Sequence, residues 1–395
     1  MTPFRAFVFS CATLLAVAGC SDSAGPSSTP EPDLLAINGR HLCRTSDAGT
    51  TCWGQGTLGQ LGDGNAISAA SPVQVAGAPA FTSLAAGYTH TCALDADGAA
   101  WCWGSNLGGE LGTGTLPDES CGGLPCQTRP VKVATLEHFT ELAAGNGFTC
   151  GLAARGSVLC WGYNDKGQLG TTADTDACDG IRCSRTPVVA GRSEDTYRRI
   201  TAGQSHICGL NDKGEAWCWG YDGHTVDGAH VHMFSPVPAL NSDSLAFTSI
   251  ASGGYHTCAL RSNGEAWCWG LDAIGAGPDI LEADHPVPVV GNHRFQAIRT
   301  GQITTCGLEK NGRIFCWGAN STGSVGREPV GSTVLFDSPQ EISGNLRFTA
   351  LSGGGSTFCG VTTSGSLACW GRGTEGQLLN GAENSSMPVI LAFER

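Results

Sequence analysis

Cysteine offers this sequence more chemistry than any other residue: the chain of 395 residues holds 20 of them. A thiol can pair, bind a soft metal, carry a lipid or attack an electrophile, and spacing decides among these roles. Seven cysteines open the tripeptide Cys-Trp-Gly, at Cys52, Cys102, Cys160, Cys218, Cys268, Cys316 and Cys369. Nine or ten positions upstream of each stands another: Cys43, Cys92, Cys150, Cys208, Cys258, Cys306 and Cys359. Four more form two C-x4-C segments, Cys121 with Cys126 in CGGLPC and Cys178 with Cys183 in CDGIRC. Four thiolates at that spacing could hold zinc. Two local disulfides suit a chain whose other cysteines already pair, and so many cysteines do not suit a reducing cytosol.

The remaining reactive side chains build no catalytic constellation. His41, His90, His206 and His256 share one repeat position, two before an upstream cysteine, where Phe148, Thr304 and Thr357 stand in other repeats. Four equivalent histidines in separate repeats cannot ligate one metal, so hydrogen bonding inside a scaffold is expected of them. Asp118-Glu119 and the acids from Asp174 to Asp179 flank the C-x4-C segments. They lack the order of a calcium loop and read as solvated loop charge. The segments Asn320-Ser321-Thr322 and Asn384-Ser385-Ser386 are glycosylation sequons by pattern alone. No G-x-S-x-G, H-E-x-x-H or Walker-type loop occurs. The sequence therefore implies no enzyme, no metal and no cofactor.

The elements that position these cysteines repeat along the chain. In the copy from Phe81 to Gly104, FTSLAAG reads as one strand, HTCALD as a second and AAWCWG as a third. Setting Cys92 opposite Cys102 places Ala93 against Trp101 and leaves Ala96-Asp97-Gly98 as a three-residue turn, with Gly98 free to take positive φ. Directly opposed residues come close enough for a disulfide. A proline-led run follows each copy, as at Pro72-Val73-Gln74-Val75, Pro130-Val131-Lys132-Val133 and Pro286-Val287-Pro288-Val289. Proline lacks the ladder donor, which suits an outer edge strand. Four short strands recurring every 48 to 58 residues, seven times, predict an all-β, seven-bladed propeller of four-stranded blades with one disulfide each. All ten tryptophans fall in third strands, seven in Cys-Trp-Gly plus Trp101, Trp217 and Trp267, and read as blade packing. The pairing of the last strand, Pro388-Val389-Ile390-Leu391, is open: its own blade or the first.

Residues 1–20 read as a leader, with Arg5, an apolar run from Ala6 to Ala18, and a small-residue end. Val17-Ala18-Gly19-Cys20 resembles the lipobox of bacterial lipoproteins, in which the cysteine thiol is lipidated and becomes the new N-terminus. Ser21 next to it implies outer-membrane sorting in a Gram-negative cell. Cys11 would leave with the leader, so every thiol is then assigned and none remains for nucleophilic catalysis. Residues 21–33 (SDSAGPSSTPEPD) read as a Ser/Pro-rich tether, and residues 34–395 as the propeller domain. The formal net charge of -13 argues against nucleic acid or an anionic membrane surface as partner, leaving the lipid as the only membrane contact.

Gly87 to Leu94 (GYTHTCAL), Asp97-Gly98, Trp161-Gly162-Tyr163-Asn164 and Gly167-Gln168-Leu169-Gly170 resemble the regulator of chromosome condensation repeat. The resemblance spans about 34 to 392 and implies a seven-bladed propeller. The family's eukaryotic founder is a guanine-nucleotide exchange factor and chromatin binder, and some secreted bacterial relatives inhibit β-lactamases. No segment matches the founder's GTPase-contacting elements, and the paired cysteines point outside the cytosol. The reading is a lipid-anchored extracytoplasmic scaffold that holds a protein partner by loops on one face. The C-x4-C insertions supply the candidate contacts Asp118, Glu119, Leu124, Asp179, Ile181 and Arg182, with Tyr163 and Tyr221 beside them. The alternatives are exchange-factor activity, a secreted enzyme inhibitor, and a lyase or hydrolase. The Gly-Gln-Leu-Gly element decays in blades four to six, for example to Gly323-Ser324-Val325-Gly326, so remodelled loops are expected there.

Overall fold

The computed structural model describes residues 35–172, 176–192, 194–221, 225–226, 229–230, 232–239, 245–271, 274–328, 335–381 and 383–391. The leader, Cys20, the tether and Asp174 lie outside them. The described residues form seven antiparallel blades. Blade 1 runs Leu35–Asn38, His41–Ser46, Gly49–Gly54 and Ala69–Gln74; blade 2 runs Phe81–Ala86, His90–Asp95, Ala100–Ser105 and Leu124–Lys132. Blade 3 runs Phe139–Ala144, Phe148–Ala153, Val158–Tyr163 and Ile181–Val189; blade 4 runs Arg199–Ala202, His206–Leu210, Ala216–Gly220 and Met233–Pro238. Blade 5 runs Phe247–Ser252, His256–Arg261, Ala266–Leu271 and Glu282–Pro288; blade 6 runs Phe295–Thr300, Thr304–Glu309, Ile314–Ala319 and Leu335–Glu341. Blade 7 runs Phe348–Gly354, Thr357–Thr362, Leu367–Gly371 and Ser385–Ile390. Second strands are buried along almost their whole length, as in His90–Asp95, because each blade packs against a neighbour on both faces.

The hairpin register follows the cysteine spacing: Cys92 opposes Cys102, Ala93 opposes Trp101, and Gly98 turns at a φ of 81°. All seven staples join second to third strands with Cα atoms 4.0 to 4.1 Å apart, the close spacing of a non-hydrogen-bonded pair. The shorter Cys43–Cys52 copy closes on a two-residue turn, since Ser46 pairs directly with Gly49. The Trp-Gly that follows each downstream cysteine is a bulge. Register between third and fourth strands shifts between Cys102 and Gly104, and Gly104 sits at a φ of 107°. A Cβ on Gly104 would stand 2.7 Å from the backbone of Thr89 and His90, so only glycine fits.

The bulge sends the tryptophan into the preceding blade. Trp103 Nε1 donates to the carbonyl of Gln60 at 3.0 Å, Trp161 to that of Glu110 at 2.9 Å, and Trp219 to that of Gln168 at 3.1 Å. Trp370 donates to Ser324 at 3.0 Å. In each of these joints the acceptor is the second residue of the Gly-Gln-Leu-Gly element or its equivalent, whereas Trp317 Nε1 is buried without a hydrogen-bond partner. The decayed copy at Gly323 to Gly326 thus keeps its joint, because a backbone carbonyl does the work. The closing glycine of that element faces the same ring: a Cβ on Gly112 would lie 2.9 Å from Trp161.

Every blade is built from consecutive strands, and Ser385–Ile390 pairs with Leu367–Gly371 of its own blade. The ring closes by side-to-side contact. Trp53 Nε1 donates to the Gln377 carbonyl at 2.9 Å, Gln377 Nε2 donates to Gly39 at 3.1 Å, and Ser352 Oγ donates to Leu35 at 2.9 Å. Blades 2 and 3 depart from the four-stranded plan by a fifth strand each, Ser120–Cys121 and Asp176–Cys178, folded back on the fourth.

Candidate functional site

Antiparallel blades place the loops between first and second and between third and fourth strands at one end of the ring. The turns between second and third strands lie at the other end, together with the connections between blades. The two ends differ in chemistry. Among the described residues the second carries most of the ion pairs: Arg192 with Glu194 and Asp195, Lys213 with Glu215, Glu265 with Arg261 and Arg294, and Arg313 with Glu341. The first end carries both disulfide hairpins and four of the five tyrosines, Tyr88, Tyr163, Tyr221 and Tyr255. The fifth, Tyr197, is buried against Trp219.

Each hairpin is a strap over the preceding blade. Cys121–Cys126 and Cys178–Cys183 are closed disulfides whose sulfur-bearing side chains are buried. The Gly64 N–H donates to Thr128 at 2.9 Å and the Gly114 N–H to Arg185 at 2.9 Å, so blade 2 is tied onto blade 1 and blade 3 onto blade 2. At equivalent tip positions Leu124 and Ile181 stand 41% and 40% exposed. Asp179 sits at the second tip in a left-handed turn, φ 56°, beside exposed Arg182.

The acids do not all face outward. Asp118 is exposed, but Glu119 corrects the reading of solvated charge. Its carboxylate accepts from the Thr128 N–H at 3.0 Å and the Thr128 hydroxyl at 2.5 Å, fastening the hairpin base. Asp176 repeats the device in blade 3, accepting from the Arg185 N–H at 3.0 Å and pairing with its guanidinium at 3.5 Å. Tyr163 does adjoin a hairpin: it pairs with Cys183 across the strands, and its ring covers Gly108 of blade 2, where a Cβ would meet it at 2.6 Å. Burial first, then Glu110, Asp179 and Asp165, push its hydroxyl up to about 12. Tyr221 stands apart, edge-on to Tyr255 at 5.8 Å and to His232 at 5.4 Å.

Glu110 was not among the residues singled out from sequence. It occupies the glutamine position of Gly109-Glu110-Leu111-Gly112, fully buried, with its carboxylate accepting from the Gly108 N–H at 2.7 Å. Burial raises its pKa. The acid in place of glutamine was the available signal. Asn320, the first sequon residue, is also buried; it accepts from the Val325 N–H and donates to the Arg327 carbonyl, each at 2.9 Å. Among the described residues no three His, Cys, Asp or Glu side chains are grouped as a metal site.

Seven stapled blades joined by Trp-Gly bulges, with specialised loops at one end, define an RCC1-like propeller. A family model described as the RCC1-like domain matches residues 49–394, and the chain belongs to that family. Among curated relatives, the mitochondrial RCC1 domain-containing protein RUG3 of Arabidopsis thaliana is 30% identical over 47% of this chain and 41% of its own length. The ultraviolet-B receptor UVR8 of the same plant is 28% identical over 48% of this chain and 41% of its own length. The chain thus spans less than half of these relatives. Among solved structures, human WBSCR16 superposes with a TM-score of 0.73 at 20% identity, covering 86% of this chain and 93% of that one. Yeast RCC1 (Prp20), solved bound to Kap60, gives 0.72 at 20% identity, covering 100% and 91%. At these identities the likeness is one of fold.

Proposed function

We propose that this chain is a non-catalytic, lipid-anchored extracytoplasmic scaffold that captures a protein partner on the end bearing the hairpins and tyrosines. The observation that carries the reading is the asymmetry of the two ends. One is a ring of turns whose charges are largely paired with each other, a solvated surface. The other concentrates tyrosine and exposed aliphatic tips on braced hairpins, the composition of protein interfaces. Bracing lowers the entropy lost on binding. Leu124, Ile181, Asp118, Asp179 and Arg182 are the proposed contacts, with Tyr163 at the base, while Glu119 acts by holding the first hairpin. Nine disulfides support an oxidising compartment. Val17-Ala18-Gly19-Cys20 supports the anchor.

The test is replacement of residues 116–126 and 172–183 by short glycine-serine loops, with copurification followed by quantitative mass spectrometry. Loss of a defined partner, with the propeller's thermal transition retained, is expected. Unchanged capture would remove the hairpins from the function.

A further inference from the structure

Two positions that look unrelated within a repeat meet across each blade joint. His41 Nε2 lies 2.8 Å from the Thr91 hydroxyl, His90 2.8 Å from Thr149, His206 3.0 Å from Thr257 and His256 2.8 Å from Thr305. Each threonine belongs to the next blade and directly precedes its upstream staple cysteine. At the other three joints the histidine position holds Phe148, Thr304 or Thr357. There the threonine position of the following blade holds Ile207, Phe358 or Leu42, each fully buried. Histidine thus always answers threonine, and its absence always answers an apolar residue. Thr304 and Thr357 turn their hydroxyls back onto their own blades, to Ala319 at 2.7 Å and Arg372 at 2.9 Å.

The proton positions in two joints follow from hydroxyl arithmetic. Thr91 gives its one proton to the Gln60 carbonyl at 2.9 Å, and Thr149 to that of Glu110 at 3.1 Å. His41 and His90 therefore donate from Nε2, and in the neutral ring this leaves Nδ1 bare. In His41, His90 and His256 that Nδ1 is buried and has no hydrogen-bond partner. It faces glycine: a Cβ on Gly87 would lie 2.4 Å from His90 Nδ1, and one on Gly253 2.8 Å from His256 Nδ1. A second proton would place charge and a donor there without an acceptor. The groups acting on these rings reinforce this, for His41 opposes charge on His90, and His206 opposes it on His256. The acid on the loop packed over Thr149, Glu110, has its carboxylate engaged by the Gly108 N–H.

We propose that the ring holds two kinds of joint: four histidine–threonine clasps that loosen on acidification, and three that acid leaves intact. The clasps link blades 1–2, 2–3, 4–5 and 5–6; the indifferent joints are 3–4, 6–7 and 7–1. Burial lowers His41 to about 4, and burial with the neighbouring histidine lowers His90 and His256 to about 3. A base whose folded pKa is depressed gives stability that is complete above its unfolded value, about 6.5, and falls as pH drops from there toward the folded value.

Urea denaturation of the full chain between pH 7 and pH 4 tests this. The variant His90→Phe with Thr149→Ile copies the existing Phe148–Ile207 joint, and Phe148→His with Ile207→Thr copies a clasp. The first should shrink the wild-type fall in urea midpoint, and the second should enlarge it by a similar amount, if the joints contribute additively. Variants that track the wild-type pH profile would overturn the proposal. Should either fail to fold at pH 7, hydrogen exchange of the wild type decides. Corrected for intrinsic rates, protection at pH 4.5 should fall in His41–Ser46, His90–Asp95, His206–Leu210 and His256–Arg261 and persist in Thr357–Thr362. Uniform loss would contradict selective joints.

Discussion

Single residues here act through the exact space they leave. Gly112 must be glycine for two reasons, its φ of 67° and the Trp161 ring beside it. Gly112→Ala should cost about 2 kcal/mol of unfolding free energy, combining left-handed strain with overpacking, read by urea titration. Glu110 makes the opposite prediction. At the equivalent position Gln60 accepts from the Leu58 N–H at 2.9 Å and Gln168 from the Lys166 N–H at 2.8 Å, so glutamine satisfies the same contact without charge. A raised carboxylate pKa means the folded state holds its proton longer than the unfolded chain. Its penalty therefore sets in as pH rises above the unfolded value, about 4.3. Glu110→Gln should raise the melting temperature at pH 7 and leave it unchanged at pH 4; an equal gain at both would refute the electrostatic account. These two residues also show how far sequence reasoning reaches at this scale. Gly98 was legible because its turn closes within ten residues, whereas Trp161, which buries the Glu110 backbone, and Thr149, the partner of His90, lie in the next blade, 51 and 59 residues away.

At the scale of elements, the hairpin, its register and its staple were readable together, because an antiparallel pair fixes opposed positions by counting from the turn. The fifth strands of blades 2 and 3 were not. Their pairing rests on Glu119 and Asp176 reaching over the fourth strand, contacts that the bare C-x4-C spacing does not announce. The hairpins are appendages of the blades that carry them. Replacing Cys121 and Cys126 together by serine should cost at most about 2 kcal/mol, as expected for a short closed loop. Hydrogen exchange should quicken in 120–128 and stay slow in Ala100–Ser105; global loss of protection would make the strap part of the ring's core.

At the scale of the whole molecule, seven repeats foretold the ring but not its closure. Blades built wholly from consecutive strands leave no shared sheet between first and last, so Trp53, Gln377 and Gly39 hold the seam. The cysteine count supports the proposed oxidising compartment as well as the fold, and the proposed anchor belongs to the same reading. Cys20→Ala should move the protein from the membrane to the soluble envelope fraction, with its thermal transition unchanged.

In the proposed scaffold one end of the ring does the binding. Site-specific photocrosslinking in the native host distinguishes the ends, with benzoylphenylalanine placed at Leu124 or Ile181 on the hairpin end and at Lys213 or Asn263 on the other. One discrete adduct is expected from the hairpin positions and none from the turns. The same adduct from Lys213 or Asn263, with none from Leu124 or Ile181, would contradict it.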